Sequence, residues 1–126
     1  MAHTILLLED EAFVLVNLEL AAQDMGLTVI SALNAKDAIK QIDELDGPDV
    51  AVLDVNLGGG ETCLPVVRHL QSRAIPYLLH SGDLDREQEF VREFGAPLIP
   101  KPAVPEFVIE SALSLLGGQT APARNA

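Results

Sequence analysis

Residues 5–11 read ILLLEDE, so four apolar residues run straight into three acidic ones. A continuous apolar run of this length is typical of a strand that is covered on both faces, as in a parallel sheet. A second run, residues 50–54, reads VAVLD and also ends in a carboxylate. The two runs predict buried strands that carry acidic side chains where each strand stops.

Strands and helices alternate along the rest of the chain. From apolar runs, helical spacing and turn residues we predict strands over 5–8, 27–30, 50–53, 77–80 and 98–99. The helices are predicted over 12–25, 35–45, 62–72, 83–94 and 105–116. This alternation predicts βαβ units, a parallel sheet and, through right-handed crossovers, helices on both faces of that sheet.

Spacing within the helices predicts which of their faces are buried. In the first helix Phe13, Val16, Leu20 and Ala21 lie near helical spacing, so we expect them to face the core. The second helix should begin after Asn34 as its N-cap and bury a face formed by Ala35, Ala38, Ile39, Ile42 and Leu45. The helix over 83–94 is strongly charged and has few apolar positions, so we expect it to be shallowly buried.

Length and composition limit the function classes that fit. The chain has 126 residues, a 48% hydrophobic fraction and a formal net charge of -11, with 8 Lys and Arg residues. One domain over 1–117 with a disordered polar tail over 118–126 suits this length. The acidity argues against a nucleic-acid partner, and no run suits a membrane span or a signal peptide. The single Cys63 excludes an intramolecular disulfide, and we expect a cytoplasmic protein.

Polar side chains stand where four of the predicted strands end: Glu9 and Asp10, Asp54, Ser81, and Lys101. In open parallel sheets, ligands bind beyond the carboxyl ends of the strands. If the strand order is 2-1-3-4-5, these five side chains converge on one pocket. Taken singly, each has an ordinary explanation as a helix cap, a turn residue or a solvated loop residue. The complete set, spread over four strand ends, favours a functional site.

Three carboxylates in one pocket repel each other unless a cation lies among them. Ligands that are all oxygen suit Mg²⁺ or Mn²⁺ rather than zinc. With such an ion present, the carboxylate of Asp54 can act as a nucleophile and form an acyl phosphate. Phosphoryl transfer needs mainly positioning and charge stabilisation. Lys101 would bind a phosphoryl oxygen, and the Ser81 hydroxyl would hydrogen-bond the same group.

The chain resembles the receiver domains of two-component response regulators, a bacterial type of signalling module, over about residues 4–116. The resemblance is carried by residues 5–11 (ILLLEDE), 52–57 (VLDVNL), 80–82 (HSG) and the pair Lys101-Pro102. It implies a flavodoxin-like α/β fold, a (βα)5 three-layer sandwich with parallel sheet order 2-1-3-4-5. It also implies a switch that is phosphorylated by a histidine kinase or a histidine phosphotransfer protein and then binds a downstream protein target, which the sequence does not name.

The resemblance implies a role for each matching residue. Asp54 is the phosphoacceptor, Ser81 is the switch hydroxyl and Lys101 is the phosphoryl-binding lysine. The implied Mg²⁺ ligands are Asp10, Asp54 and the backbone carbonyl of Asn56, with Glu9 acting mainly through water. The implied chemistry stops at Mg²⁺-dependent self-phosphorylation and slow self-dephosphorylation, so the chain is not expected to be an enzyme with an external substrate.

Three features depart from the usual receiver pattern. Gly58-Gly59-Gly60 stands where a proline often follows the phosphoacceptor loop, so this loop should be flexible or tightly turned. Leu98 replaces the aromatic residue that is usual three positions before the lysine, which puts the usual switching route in question. Glu9 replaces the commoner aspartate, a mild change.

Two other functions compete with a switch. A small Mg²⁺-dependent phosphatase similar to haloacid-dehalogenase-type hydrolases would also use an aspartate nucleophile and a lysine. Those enzymes place the nucleophile after the first strand and a second acid two residues later, whereas Asp54 follows the third predicted strand and Asn56 stands two residues on. A receiver-shaped scaffold that no longer takes phosphate is the other alternative, and the complete set of site residues counts against it.

Overall fold

Five parallel strands form the central sheet in the computed structural model, which describes residues 3–44, 46–82, 93 and 95–117. The sheet strands are β1 (Thr4–Leu8), β2 (Thr28–Ala32), β3 (Val50–Leu53), β6 (Tyr77–Ser81) and β7 (Leu98–Pro100). Two short strands outside the sheet are β4 (Asn56–Gly58) and β5 (Glu61–Thr62). The sheet order is β2-β1-β3-β6-β7. Counted along the chain, the five sheet strands therefore have the predicted order 2-1-3-4-5.

Helices cover both faces of this sheet. They are α1 (Ala12–Asp24), α2 (Ala35–Glu44), α3 (Leu64–Ser72) and α4 (Pro105–Ser114), the last followed by a 3₁₀ turn, Leu115–Gly117. Helices α1 and α4 pack together on one face, and α2 and α3 pack together on the other. The predicted α/β three-layer architecture is confirmed.

The buried strand β1 shows why the layers hold together. Leu6 and Leu8 point into the core under α2 and α3, whereas Ile5 and Leu7 point into the core under α1 and α4. All four side chains are excluded from water, and each contributes roughly 1.5–3 kcal/mol by burial. A run that is apolar at every position is required because both faces of this strand are covered.

The predicted buried face of α1 is wrong in three of its four positions. Phe13, Val16 and Leu20 are exposed, and only Ala21 is buried. The residues that pack on the sheet are Leu15, Leu18, Ala21 and Ala22. The helix has apolar residues all round, so spacing alone offered two alternative faces, and contact with the sheet selects the one containing Leu15 and Leu18.

Most other local predictions are confirmed with small shifts. Asn34 caps α2, because its Oδ1 accepts a hydrogen bond of 2.8 Å from the backbone N–H of Asp37. Pro65 lies in the first turn of α3, but that helix begins at Leu64 because Thr62 belongs to β5. The glycine run forms the tight turn between β4 and β5, with φ of 86°, 58° and 82° at Gly58, Gly59 and Gly60.

Three predictions lie outside the described residues. These are the burial of Leu45, the charged helix over 83–94, of which only Glu93 is described, and the tail over 118–126. In the part of the chain that the structure describes, no helix combines the length and the apolar character needed to cross a membrane.

Candidate functional site

An open acidic pocket lies at the carboxyl ends of the parallel strands. Its volume is about 550 Å³, and its lining residues are Asp10, Glu11, Asp54, Asn56, Gly58, Ser81, Gly82 and Lys101. Five of the six residues predicted for the site line this pocket. The sixth, Glu9, is buried beside it and contacts Lys101. The sheet therefore brings the predicted residues together as expected from the strand order.

Backbone hydrogen bonds to neighbouring strands hold the main chain of these residues in position. The N–H of Glu9 donates to the carbonyl of Ala32 at 3.1 Å, and the N–H of Asp54 donates to the carbonyl of Leu8 at 2.9 Å. The N–H of Lys101 donates to the carbonyl of Ser81 at 3.0 Å. Asp54 and Lys101 are thus each joined through the main chain to a neighbouring strand end.

Lys101 lies at the centre of the carboxylates. Its Nζ is 2.9 Å from Oε1 of Glu9 and donates hydrogen bonds to Oε2 of Glu9 at 3.1 Å and to Oδ2 of Asp54 at 3.3 Å. Oε1 of Glu11 is 3.7 Å from the same ammonium group. Glu9 and Asp54 are buried, so the one ammonium group faces more negative charge than it can neutralise.

Ionisation of Asp54 is opposed by its surroundings. Burial raises the pKa of Asp54 to about 8, and the negative charge of Glu9 adds to the rise while Lys101 counters it. Burial alone would lower the pKa of Lys101, but its hydrogen bond to Glu9 and the charge of Asp54 outweigh that effect, so its pKa is raised. A carboxyl group that resists ionisation at a strand end marks a site where another positive charge would be favourable.

Glu9, Asp10 and Asp54 offer the oxygens for such a charge. One carboxylate oxygen from each lies within 4.8 Å of the others. Oxygen donors without nitrogen or sulfur suit Mg²⁺ or Mn²⁺. Gly58 borders this cluster, because a Cβ atom at position 58 would lie 3.4 Å from Oδ2 of Asp10. The positive φ of Gly58 favours glycine over a residue with a side chain.

Sequence reasoning missed three pocket residues: Glu11, Gly58 and Gly82. Glu11 stands in the ILLLEDE run but precedes α1, where an acidic residue has an ordinary role at a helix start. Gly58 and Gly82 line the pocket because of the path of the backbone, and that path cannot be predicted from the residue type alone. Asn56, predicted as a ligand through its carbonyl, lines the pocket, and its side-chain Oδ1 accepts a hydrogen bond from the N–H of Gly58 at 3.2 Å.

His80 and Cys63 are buried next to the site without lining it. Among the described residues, neither ring nitrogen of His80 has a hydrogen-bond partner. Burial lowers the pKa of His80 to about 4, and the positive charge of Lys101 acts in the same direction. Burial raises the pKa of Cys63 to about 12, and the charge of Asp54 adds to the effect. His80 is therefore a neutral imidazole and Cys63 an unreactive thiol at neutral pH.

Comparisons with known proteins give matches at the level of structure. No family model and no curated protein sequence matches the chain. A protein from Chloroflexus aurantiacus described as a response regulator is 28% identical with a TM-score of 0.76, and the match covers 93% of this chain and 99% of that one. A response regulator receiver protein from Sinorhizobium medicae is 24% identical, with a TM-score of 0.81 and coverage of 92% and 95%.

A third match is a CheY-like response regulator receiver domain protein from Methanospirillum hungatei. It is 21% identical, with a TM-score of 0.80, and the match covers 94% of this chain and 96% of that one. Matches of this coverage show that the chain has the fold of response-regulator receiver domains.

Proposed function

We propose that this chain is a phosphorylation-dependent signalling switch in which Asp54 accepts a phosphoryl group. Receiver domains as a class are signalling switches rather than enzymes, and the receiver fold supports this type of function. The observation that carries the proposal is the contact of Lys101 with both Glu9 and Asp54 at the strand ends. A purely structural site would not be expected to bury two carboxylates around one ammonium group.

The pocket residues divide the chemistry of phosphoryl transfer between them. An oxygen of the Asp54 carboxylate attacks the donor phosphorus, and the bond from phosphorus to the donor breaks, its electron pair leaving with the donor. The Lys101 ammonium lies 3.3 Å from that carboxylate, so it is placed to bind a phosphoryl oxygen once the group arrives. The hydroxyl of Ser81 lies at the end of the neighbouring strand β6, and we assign it to donate a hydrogen bond to a second phosphoryl oxygen.

Glu9, Asp10, Asp54 and the backbone carbonyl of Asn56 are the proposed surroundings of a Mg²⁺ or Mn²⁺ ion, with Glu9 acting mainly through water. When bound, such an ion supplies positive charge to the phosphoryl oxygens and offsets the repulsion among the carboxylates. The carboxylate spacing and the raised pKa of Asp54 support this assignment.

The proposed donor is a histidine kinase or a histidine phosphotransfer protein, in the cytoplasm, and the output is binding to a downstream protein. Self-dephosphorylation follows when water attacks phosphorus and the bond to the Asp54 oxygen breaks. The phosphatase alternative is disfavoured because Asp54 follows β3 rather than the first strand, and because position 56 is an asparagine instead of a second acid.

Phosphorylation in vitro tests the proposal. The chain is incubated with Mg²⁺ and a small phosphodonor, and its intact mass is measured. One phosphoryl adduct is expected on the parent chain, and none on Asp54→Asn. The control is Asp43→Asn, which alters an exposed carboxylate on α2 and should be phosphorylated like the parent.

Two results would contradict the proposal. An equal adduct yield in Asp54→Asn would show that another residue takes the group. Rapid, repeated hydrolysis of a generic phosphate ester, lost in Asp54→Asn, would instead identify a phosphatase.

A further inference from the structure

Glu11 lines the pocket but lies outside the proposed ion site. Among the described residues, the acids that line the pocket are Asp10, Glu11 and Asp54. The carboxylate cluster that could hold a divalent cation consists of Glu9, Asp10 and Asp54. When all three are ionised, a divalent cation and the Lys101 ammonium together balance their charge. Glu11 then supplies the remaining negative charge at the pocket.

The side chain of Glu11 is not placed as a helix cap. Glu11 is the N-cap residue of α1, yet its carboxylate accepts no hydrogen bond from the described first turn of that helix. Glutamate is also not among the residues preferred at this position. Its carboxylate is instead 66% exposed, with Oε1 3.7 Å from Nζ of Lys101. Its backbone N–H donates to Oε2 of Glu9 at 3.2 Å. The side chain therefore lies at the mouth of the pocket, beside the lysine.

Glu11 is close to the place where a phosphoryl group would be bound. Its Oε1 and the Oδ2 of Asp54 lie 3.7 Å and 3.3 Å from the same Nζ of Lys101. The two oxygens are therefore separated by no more than the sum of these distances. An exposed ion pair such as the one between Glu11 and Lys101 contributes little to stability. A phosphodonor that enters the pocket, in contrast, brings its own negative charge near Glu11, and the repulsion grows with the charge of the donor.

We propose that Glu11 determines which phosphodonors Asp54 accepts, by repelling dianionic donors more strongly than monoanionic ones. The inference rests on the proposed phosphorylation of Asp54 and adds the chemical class of the donor. At neutral pH an acyl phosphate is a dianion, whereas a phosphoryl group on a protonated nitrogen has one net negative charge.

The bonds that form and break are equivalent for the two classes of donor. Phosphorus forms a bond to the Asp54 oxygen, and its bond to the donor breaks with the electron pair leaving on the donor. An acyl phosphate thereby releases a carboxylate, and a protonated nitrogen leaves as a neutral amine. The difference between the two classes is therefore the charge that approaches Glu11, so the pocket should favour phosphoryl groups carried on nitrogen.

Two small donors test this selectivity. Acetyl phosphate is the dianion, and phosphoramidate, whose nitrogen is protonated, is the net monoanion. With Mg²⁺ and low salt, Glu11→Gln should speed phosphorylation by acetyl phosphate about fivefold and by phosphoramidate about twofold, since the logarithm of the change scales with donor charge. Intact mass against time measures both rates. Because each variant is compared with itself across two donors, a partial loss of folded protein would not produce this difference.

Two control variants and salt isolate the charge of Glu11. Glu11→Asp keeps the charge and should resemble the parent. Glu44→Gln removes an equal charge from the last residue of α2 and should change neither rate. Helix α2 runs from the carboxyl end of β2 toward the amino end of β3, so Glu44 lies away from the pocket. The selectivity lost in Glu11→Gln should also shrink in the parent at high salt, which screens exposed charges.

Mg²⁺ binding provides a measurement that does not depend on phosphoryl transfer. Because Glu11 is outside the carboxylate cluster, Glu11→Gln should keep most of the Mg²⁺-induced rise in Tm, whereas Asp10→Ala should lose it. The inference is overturned if Glu11→Gln does not raise the acetyl phosphate rate more than the phosphoramidate rate. It is also overturned if Glu11→Gln loses the Mg²⁺ response, since Glu11 would then be an ion ligand. A parent chain that accepts a phosphoryl group from neither donor would overturn the proposed function, and this inference with it.

Discussion

Lys101 and Arg73 both stand beside carboxylates, but water reaches the two places very differently. Arg73 and His69 lie 3.8 Å and 2.7 Å from the exposed carboxylate of Asp43, where α2 meets α3. Lys101 faces Glu9 and Asp54, which are buried at the strand ends. The surface cluster has two basic side chains for one acid, whereas the pocket has one base for several acids.

The difference separates an exposed surface contact from the buried contact in the candidate site. Exposed ion pairs contribute about 0–1 kcal/mol, since water solvates the charges almost as well as the partner does. Buried charges that are incompletely neutralised destabilise the fold. A chain that retains such an arrangement in its pocket is best explained by a ligand that supplies the missing positive charge.

The largest effect is expected from Mg²⁺. If the pocket binds the ion, saturating Mg²⁺ should stabilise the folded state by on the order of 2–3 kcal/mol, because only the folded state assembles the carboxylates. Asp10→Ala should abolish most of this rise in Tm and should itself raise the metal-free Tm slightly by relieving repulsion. Asp43→Ala should leave the Mg²⁺ response intact. A thermal melt with and without Mg²⁺ measures all three, and an undiminished response in Asp10→Ala would show that the cluster is not the binding site.

The second prediction concerns pH without metal. Because the pKa of Asp54 is raised in the fold to about 8 from an ordinary value of 3.8, the folded state holds this proton more tightly than the unfolded state. The stability that this proton supplies is therefore fully present below about pH 4, where the carboxyl group is protonated in both states, and is lost progressively as pH rises from about 4 to about 8. The free energy of unfolding should fall across this window in the parent relative to Asp54→Asn. If the free energy of unfolding depended on pH in the same way in the parent and in Asp54→Asn, the prediction would be wrong.

His80 should show the opposite dependence on pH. Its pKa is lowered to about 4 in the fold from an ordinary value of 6.5, so the folded state binds this proton less readily than the unfolded chain. Stability should be lost as pH falls from about 6.5 to 4. His80→Leu should remove that loss and, because the buried ring has no described hydrogen-bond partner, raise the free energy of unfolding at pH 7 by about 1 kcal/mol. Urea titrations at pH 5 and pH 7 check both effects.

The smallest effect is expected at the surface cluster. Asp43→Ala removes the pairs with His69 and Arg73, yet should lower the free energy of unfolding by less than about 1 kcal/mol. The loss should shrink further in high salt, because the side chains are exposed. If Asp43→Ala lowered the free energy of unfolding by several kcal/mol in urea denaturation, the exposed pairs would be as important for stability as buried ones, contrary to this prediction.

Helices α1 and α2 show how far sequence alone can reach. In α2 the spacing correctly predicted the buried Ala35, Ala38 and Ile42, because polar residues fill the other side of that helix. In α1 both sides are apolar, and only the position of the sheet distinguishes the face of Leu18 from the face of Val16. Periodicity predicts a buried face only where the remaining faces are polar.

Some residues of the candidate site could likewise be predicted from the sequence and others could not. Residues that end strands were predictable, since the topology of a parallel sheet brings strand ends to one edge. Glu11, Gly58 and Gly82 were not, because they reach the pocket from a helix start, a hairpin turn and a loop. Such positions depend on backbone dihedral angles that a single sequence does not reveal.

Two main-chain hydrogen bonds affect how freely the sequence can change. One runs from the N–H of Lys101 to the carbonyl of Ser81, and the other runs from the N–H of Asp54 to the carbonyl of Leu8. Every residue type except proline carries the N–H that these bonds need. The pairing of the strands therefore sets the spacing of the Asp54 and Lys101 backbones, and this spacing does not depend on which side chains the helices carry. Residues on the helix surfaces can therefore change while the geometry of the strand ends stays constant.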